Sequence, residues 1–162
     1  GDSDEVFNVF IIRDPLNMFA SRYKLANKLG RENRNTNRIG KVGWIDDGAI
    51  SLWKEYAYRY LNPEPNDIWI NFNSWYSDEE YRRSISGLFG VEFSDSGLNA
   101  VSGHGFGSSF EGTAFNNEAQ FMPVLERYKN MVGNKSYIKP MRDQELLTLY
   151  NKIWGEIPKE LL

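Results

Sequence analysis

The feature that most constrains the fold is the junction between an apolar run and a helix start near residue 13. Residues 6–12, VFNVFII, are β-branched, aromatic or apolar with one exception, a composition that predicts a buried strand of a parallel sheet. Asp14 and Pro15 follow, a pair typical of a helix N-cap and first helical position. A strand that passes directly into a helix favours an α/β fold.

Further elements follow from hydrophobic spacing and from residues that begin or end helices. The first helix is predicted to end at Gly30, and a second to run from Asp46 or Asp47 to residue 61. Residues 68–72 predict a second strand, and Ser77 with Glu80 resembles a capping box that begins a third helix. Two more helices are predicted over residues 118–131 and 142–154. The core-facing positions are expected to be Leu16, Phe19, Ala20, Tyr23 and Ala26, then Ile50, Trp53, Tyr56, Ala57 and Tyr60, then Tyr81, Ile85, Leu88 and Phe89.

The order strand, helix, helix, strand, helix predicts a βαβ-type unit with a right-handed crossover. The 162 residues suit a single domain, residues 1–162, in which helices flank a small parallel sheet. Two strands are few for such a domain, and the chain opens with Gly1 rather than Met. We therefore expect the natural protein to begin further upstream.

Composition and charge remove several classes of site. With no Cys and one His, the chain has no disulfide, thiolate nucleophile, Cys-based zinc site or multi-His metal centre. A net charge of −3 gives no general attraction to nucleic acid or to anionic membranes. The sequence shows no apolar run near the roughly 18–20 residues of a membrane span, and no signal peptide. These features predict a cytoplasmic protein without a metal.

Residues around the first junction form a candidate anion site. In open α/β sheets ligands bind beyond the carboxyl ends of the strands, where Arg13 is placed. Asn17, Ser21, Lys24 and Lys28 follow at steps of four, three and four, and so share one helix face. Arginine offers a fork for phosphate oxygens and serine a hydroxyl donor. The alternative is structural, with Arg13 paired to a carboxylate and Ser21 an ordinary helix residue.

Two loops are further candidates for anion binding. Residues 31–43 are basic, and this loop with its neighbour could hold an anion or could simply be solvated; the cations are Lys28, Arg31, Arg34, Arg38 and Lys41. Residues 103–112, GHGFGSSFEG, combine glycines that let backbone approach a ligand with two serine hydroxyls. The candidate residues there are Gly105, Gly107, Ser108 and Ser109, and the alternative is a merely flexible loop.

The stretch IIRDPLNMFASR resembles the 3′-phosphate-binding motif of the sulfotransferases that use 3′-phosphoadenosine 5′-phosphosulfate (PAPS). That motif has a strand ending in Arg, then Asn or Asp, often Pro, and a Ser eight residues after the Arg. Arg13, Asp14, Pro15 and Ser21 match it. The resemblance implies a P-loop-like three-layer α/β fold, a PAPS or adenosine 3′,5′-bisphosphate ligand, and contacts from Arg13 and Ser21 to its 3′-phosphate.

The resemblance extends in the same order over about residues 6–112. Phe72 falls where the family has a Tyr near the adenine, although a core aromatic is an equal interpretation of this residue. The Gly/Ser loop falls where family members close a loop, often Arg-Lys-Gly, over the 3′-phosphate. Because Arg-Lys is absent here, amides and hydroxyls of the loop would have to bind the phosphate.

The chain also departs from the family. It has no P-loop with a Lys, and the usual catalytic His or Glu is missing, since His104 falls in the wrong place. The resemblance implies transfer of a sulfuryl group to a hydroxyl or amine acceptor, with carbohydrate as one candidate, but little turnover by this chain alone. Two alternatives stay open: a non-catalytic nucleotide- or phosphate-binding or interaction module, and a P-loop kinase-like fragment.

Overall fold

The structure, a computed structural model, describes residues 6–32, 47–103 and 107–161, the side chains of residues 29–32 excepted. Its strands and helices, in chain order, are β1 (Asn8–Ile12), α1 (Pro15–Glu32), α2 (Asp47–Leu61), β2 (Asp67–Asn71), α3 (Phe72–Ser77), α4 (Glu79–Leu88), α5 (Lys135–Met141) and α6 (Gln144–Trp154). Short 3₁₀ helices span Ala119–Phe121, Arg127–Met131 and Lys159–Leu161.

The two strands form a small parallel sheet, with Asn8 opposite Asp67 and Ile12 opposite Asn71. Because α1 and α2 lie between the strands in sequence, the predicted α/β character and the β–α–α–β order are confirmed. The second strand ends at Asn71 rather than Phe72, because the Asn71 side chain accepts hydrogen bonds from two amides and caps α3. Phe72 is therefore the first residue of a helix that the sequence did not predict.

Strand β1 is less buried than its composition suggests. Ile12 is buried, but Val9 and Ile11 are 49% and 61% exposed. Alternate residues of a strand face opposite sides, and the rings of Tyr56 and Trp69 pack against Phe10. The prediction of a strand buried on both faces is therefore wrong within the described part of the chain.

The hydrophobic core joins both ends of the chain. It combines residues of β1 and α1 with residues of α2 and of the C-terminal helices: Ile12, Leu16, Phe19, Ala20, Ile50, Trp53, Ala57, Met131, Tyr137, Met141, Leu146, Leu149 and Leu161. The predicted stripe of α1 is buried at Leu16, Phe19, Ala20 and Ala26 and half-buried at Tyr23. Residues between Met131 and Leu161 thus complete the core.

Helix α1 does not end at Gly30, since helical backbone continues to Glu32. Helix α2 has the predicted bounds, but its Tyr56 is exposed and meets the core only through its ring contacts with Phe10 and Trp69.

The helix predicted over residues 118–131 is absent. Pro123 lacks an amide hydrogen and disfavours helical backbone in the residue before it. Met122 is accordingly extended, and the segment divides into two 3₁₀ helices. The next predicted helix is confirmed as α6, with Asp143 as its N-cap, while α5 was missed.

Helix α4 has a different cap and a different buried face from those predicted. Its N-cap is Asp78, whose carboxylate accepts from the amides of Glu80 and Tyr81, and not Ser77. Leu88 and Phe89, expected in the core, are exposed, whereas Arg82 is buried. Arg82 binds both carboxylate oxygens of Asp95, which holds the chain after the helix against this face.

The start of α1 is fixed by a buried carboxylate, as predicted for Asp14. It accepts from the Asn17 amide at 2.8 Å, from Asn17 Nδ2 at 3.1 Å and from Asn73 Nδ2 at 2.9 Å. Asp14 thereby connects the end of β1 to α3 as well as capping its own helix.

We predict that Asp14→Ala lowers the free energy of unfolding by about 2–4 kcal/mol, because it removes a cap and leaves buried amides without acceptors. Urea unfolding measures the change. The matched control is Asp78→Ala, an exposed cap whose loss is expected to cost about 1 kcal/mol. Equal losses in the two variants would contradict the bridging role of Asp14.

Because of the ion pair between Arg59 and Asp67, the free energy of unfolding depends on pH in the acid range. Hydrogen bonds from Arg59 lower the pKa of Asp67 from 3.8 to about 2. The stabilisation is present above about pH 4 and is lost as pH falls towards 2, because the unfolded chain is protonated first. We therefore expect Asp67→Asn to show a smaller drop in urea midpoint between pH 5 and pH 2.5 than the wild type. Glu156→Gln, which changes an exposed carboxylate, should leave the wild-type drop intact.

Candidate functional site

The residues predicted to bind an anion at the β1–α1 junction and on α1 hold a distant segment of the chain. Arg13 Nη2 donates to the Val124 carbonyl at 3.0 Å, and Asn17 Nδ2 donates to the Leu125 carbonyl at 2.9 Å. Asn17 Oδ1 accepts from the Tyr128 amide at 3.2 Å. These three bonds fix residues 124–128 along the start of α1, and with them the position of the residue in between, Arg127.

Arg127 joins the first helix to the Gly/Ser loop. Its Nη1 donates to Ser21 Oγ at 2.8 Å, and its Nη2 donates to Ser108 Oγ at 2.7 Å. The same Nη2 lies 3.2 Å from the carboxylate of Glu111. Arg127 is only 6% exposed. We call Arg127, Ser21, Ser108 and Glu111 the Arg127 cluster.

The Gly/Ser loop is closed on itself. The amide of Ser108 donates to the Gly112 carbonyl at 2.8 Å, and the Gly112 amide donates back at 2.9 Å. The amides of Phe110 and Glu111 donate to Ser108 Oγ. Because these four amides donate within the loop, Ser108 contributes to the cluster through its hydroxyl rather than through a nest of amides.

Phe72 lies beside Arg13. The Arg13 guanidinium carbon is 4.6 Å from the centre of the Phe72 ring, and Trp75 and Tyr76 stack near the same ring. Phe72 also packs with Val124 and neighbouring residues in a second, smaller hydrophobic cluster. The ring is thus a packing partner of the arginine and of the segment that carries Arg127.

The surroundings of Arg13 and Arg127 disfavour the charged form of each side chain. Burial lowers the pKa of Arg13 to about 10; Asp14 opposes the shift, and the Arg127 charge adds to it. Burial also lowers the pKa of Arg127, against the attraction of Glu111. A half-buried and a buried cation that disfavour each other form a place where an anion lowers the electrostatic energy.

Within the described part of the chain, three buried donors near the cluster have no acceptor: Arg13 Nε, Arg127 Nε and Ser109 Oγ. A buried donor without an acceptor costs about 1–3 kcal/mol. The contrast is Arg82, whose Nε and both terminal nitrogens donate to Asp95 or to main-chain carbonyls. Arg82 has the full set of partners expected of a structural arginine, whereas Arg13 and Arg127 do not.

A cavity of about 300 Å³ opens beside the cluster. Arg127, Ser108 and Tyr76 supply its polar wall. The rest of the lining is mostly apolar or small: Ala100, Val101, Ser102, Gly107, Ala119, Met122 and Val124. A charged donor at one side of a mostly apolar recess is the usual form of a small-ligand site.

Most of the predicted site residues converge. Five of the predicted residues belong to the Arg127 cluster or contact the cluster or its supporting segment: Arg13, Asn17, Ser21, Phe72 and Ser108. Gly107 lines the cavity, and Ser109 lies two residues after Gly107 in the loop. Lys24, on the same face of α1, lies 5.6 Å from the Phe110 ring, and Lys28 is exposed. Gly105 and His104 lie outside the described residues, as do the side chains of Arg31, Arg34, Arg38 and Lys41.

The central residue, Arg127, was not found from the sequence. It lies in the stretch predicted as a helix over residues 118–131, directly after Glu126 and two residues before Lys129, and nothing local distinguishes it from an exposed cation. Its burial depends on Asn17 and Arg13, more than a hundred residues earlier. The one local signal was Pro123, which argues against a continuous helix.

Comparison of the chain with protein families, with curated proteins and with solved structures gave no match. Within the described ranges, no helix is both long and apolar enough to cross a bilayer. In the same part of the chain, His, Asp and Glu residues form no group of three or more that could hold a metal ion.

The geometry of the loop makes Gly107 sensitive to substitution. Its φ is +69°, and a Cβ at this position would collide with the Gly112 carbonyl. We expect Gly107→Ala to open the turn and to accelerate hydrogen exchange of the Ser108 and Gly112 amides, measured by NMR. Gly97→Ala is the control, because a Cβ there meets nothing within 4 Å. Unchanged protection in Gly107→Ala would contradict the closed turn.

Proposed function

We propose that the Arg127 cluster and Arg13 bind a phosphate group, and that this phosphate is the 3′-phosphate of PAPS or of adenosine 3′,5′-bisphosphate. The chain would then be the donor-binding part of a sulfotransferase-like protein with a P-loop-like fold. The observation that carries the proposal is that one buried arginine binds both Ser21 and Ser108. The sequence predicted that both serines contact the same phosphate, and the two serines lie in separate stretches of the chain.

The chemistry of the donors suits phosphate. Guanidinium groups and hydroxyls are its usual partners, and arginine can offer two parallel N–H donors. The buried Nε atoms of Arg13 and Arg127 have no acceptor among the residues that the structure describes, so both side chains have unused donor capacity. In the resembling family an Arg-Lys-Gly loop holds this phosphate, and we propose that Arg127 supplies the missing positive charge from another segment.

The cavity beside the cluster supports a nucleotide rather than a bare anion. Its walls of Val101, Met122 and Val124 offer apolar surface next to the charged wall of Arg127. A nucleoside phosphate needs this combination, because its base and sugar are largely apolar on their faces while its phosphate is charged. Tyr76 lines the same cavity and stacks on Phe72, which in turn stacks on Trp75.

The proposed reaction moves a sulfuryl group from the phosphosulfate of the donor to an acceptor hydroxyl or amine, for which carbohydrate is one candidate. The acceptor oxygen or nitrogen gives its proton to a general base and bonds to sulfur, and adenosine 3′,5′-bisphosphate leaves with the electrons of the broken S–O bond. Arg13, Ser21 and Arg127 would bind and orient the donor through its remote phosphate. Binding at such a distance from the reacting bond contributes by positioning.

One observation favours the alternative of a binding module without transfer. The described groups of the cluster are donors that bind an anion, and its single carboxylate, Glu111, is already held by Arg127 and Ser108. On this alternative the same phosphate binds, but no acceptor is consumed.

Calorimetric titration with adenosine 3′,5′-bisphosphate tests the proposal. We expect Arg13→Ala and Ser21→Ala each to weaken binding by about 1.5–3 kcal/mol, since each removes a hydrogen bond to a charged phosphate. Ser21→Ala is the cleaner variant, because Ser21 is a small, half-buried helix residue whose loss leaves Arg13 and its bond to Val124 intact.

Arg83→Ala serves as the control, because Arg83 is an exposed cation paired with Glu79 on α4 and lies outside the cluster. Circular dichroism establishes that each variant is folded. Equal affinities for wild type, Arg13→Ala and Ser21→Ala would show that the bisphosphate lies elsewhere. Tighter binding of ATP than of the bisphosphate would favour the kinase-like alternative over a PAPS site.

A further inference from the structure

We propose that Glu111 is an internal competitor for the phosphate: its carboxylate occupies the anion position at Arg127 and must leave when a phosphate binds. This inference rests on the proposed function, since it concerns the same anion site. It adds an autoinhibitory contact that neither the sequence pattern nor the family resemblance assigns.

The first argument is the number of hydrogens. Ser108 Oγ carries one hydrogen and can therefore donate one hydrogen bond. The same oxygen accepts from Arg127 Nη2 and from the amides of Phe110 and Glu111. That hydrogen is directed to the Glu111 carboxylate, which lies in close contact with Ser108 Oγ. Ser108 therefore cannot donate to a phosphate until Glu111 releases it.

The second argument is that Arg127 Nη2 serves the same carboxylate. It lies 3.2 Å from Glu111 Oε2 while also donating to Ser108 at 2.7 Å. A phosphate oxygen bound at Nη2 would take the place that Glu111 Oε2 now holds. The carboxylate thus uses both donors, Ser108 and Arg127, that the bound phosphate requires.

The third argument is charge. A phosphate monoester carries about −1.5 to −2 at pH 7. Placed beside an ionised Glu111 in a largely buried site, it would be repelled, and like charges at such a site disfavour each other. Only one of the two anions can hold Arg127 Nη2 and the Ser108 hydroxyl at a time.

Glu111 has a route out of the site. Its side chain is 16% exposed, compared with 7% for that of Arg127, so it lies on the outer side of the contact. The loop that carries it is held by the main-chain bonds between Ser108 and Gly112. Rotation of the Glu111 side chain towards solvent leaves those bonds, and therefore the position of Ser108, in place.

Without ligand, the negative charge of Glu111 therefore balances the positive charge of Arg127. The affinity of the site for an anion is lower than its donors alone would give. Glu111 compensates a buried guanidinium in the resting protein. It also sets a threshold, because an anion must bind more strongly than the carboxylate it replaces.

The test compares wild type with Glu111→Gln, which keeps the size and one acceptor oxygen, replaces the other oxygen with an NH2 donor, and removes the charge. Both are titrated with adenosine 3′,5′-bisphosphate and with inorganic phosphate, and both are followed by thermal unfolding. We expect Glu111→Gln to bind these anions at least about tenfold more tightly. We also expect it to melt below wild type without anion and to gain more from saturating phosphate.

The matched control is Glu126→Gln, which removes the same charge next to Arg127 in sequence from a carboxylate paired with exposed Lys129. It should bind as wild type does, and a gain equal to that of Glu111→Gln would reduce the effect to overall charge and overturn the inference. A bisphosphate that binds wild type and Glu111→Gln equally would overturn the inference while leaving the proposed function standing.

Two further outcomes would count against the proposed nucleotide site. If inorganic phosphate binds Glu111→Gln more tightly than wild type but the bisphosphate binds no better than phosphate, the competitor is supported and the nucleotide site is not. If neither protein binds either anion, both proposals are wrong.

Discussion

The side chain of Asn17 makes the contacts on which the site depends. It is buried in the first turns of α1, and its Nδ2 donates both to the Asp14 carboxylate and to the Leu125 carbonyl, while its Oδ1 accepts from the Tyr128 amide. A buried amide with its donors and acceptor in use is held in one orientation, since each lost bond would leave a desolvated polar group. Asn17 therefore transmits the geometry of the β1–α1 junction to residues 124–128.

Buried arginines have two distinct roles in this chain. Arg82 is held by Asp95 and by main-chain carbonyls, and it connects α4 to the chain that follows. Arg127 is also buried and Arg13 is half-buried, but each has an Nε without an acceptor among the described residues, and the charge of Arg127 lowers the pKa of Arg13. Folding has gathered these two cations with Ser21 and Ser108 although burial disfavours both charges, which is the pattern expected of a site for an anion.

The parts of the fold that could be predicted from sequence are those with local causes. The strand-to-helix junction follows from an apolar run ended by Asp14 and Pro15, and the bounds of α2 and the existence of α6 follow from helical spacing. The prediction of one helix over residues 118–131 was wrong, because Pro123 interrupts the helical backbone despite the apolar spacing. Arg127 could not be predicted because its position depends on contacts with residues more than a hundred positions earlier, and an isolated arginine carries no local mark of burial. Glu111 lies in the predicted loop, but its contact with Arg127 depends on the burial of that arginine.

The bond from Arg127 to Ser21 joins residues 106 positions apart, whereas Arg127 and Ser108 are separated by only 19. Closing so long a span costs chain entropy that is recovered only once the C-terminal residues have docked on α1. The loop serine and the arginine can meet within a short stretch, but the helix serine joins them late. The cluster is therefore a property of the finished tertiary structure, and a partly folded chain that already contains the β1–α1 junction would still lack it.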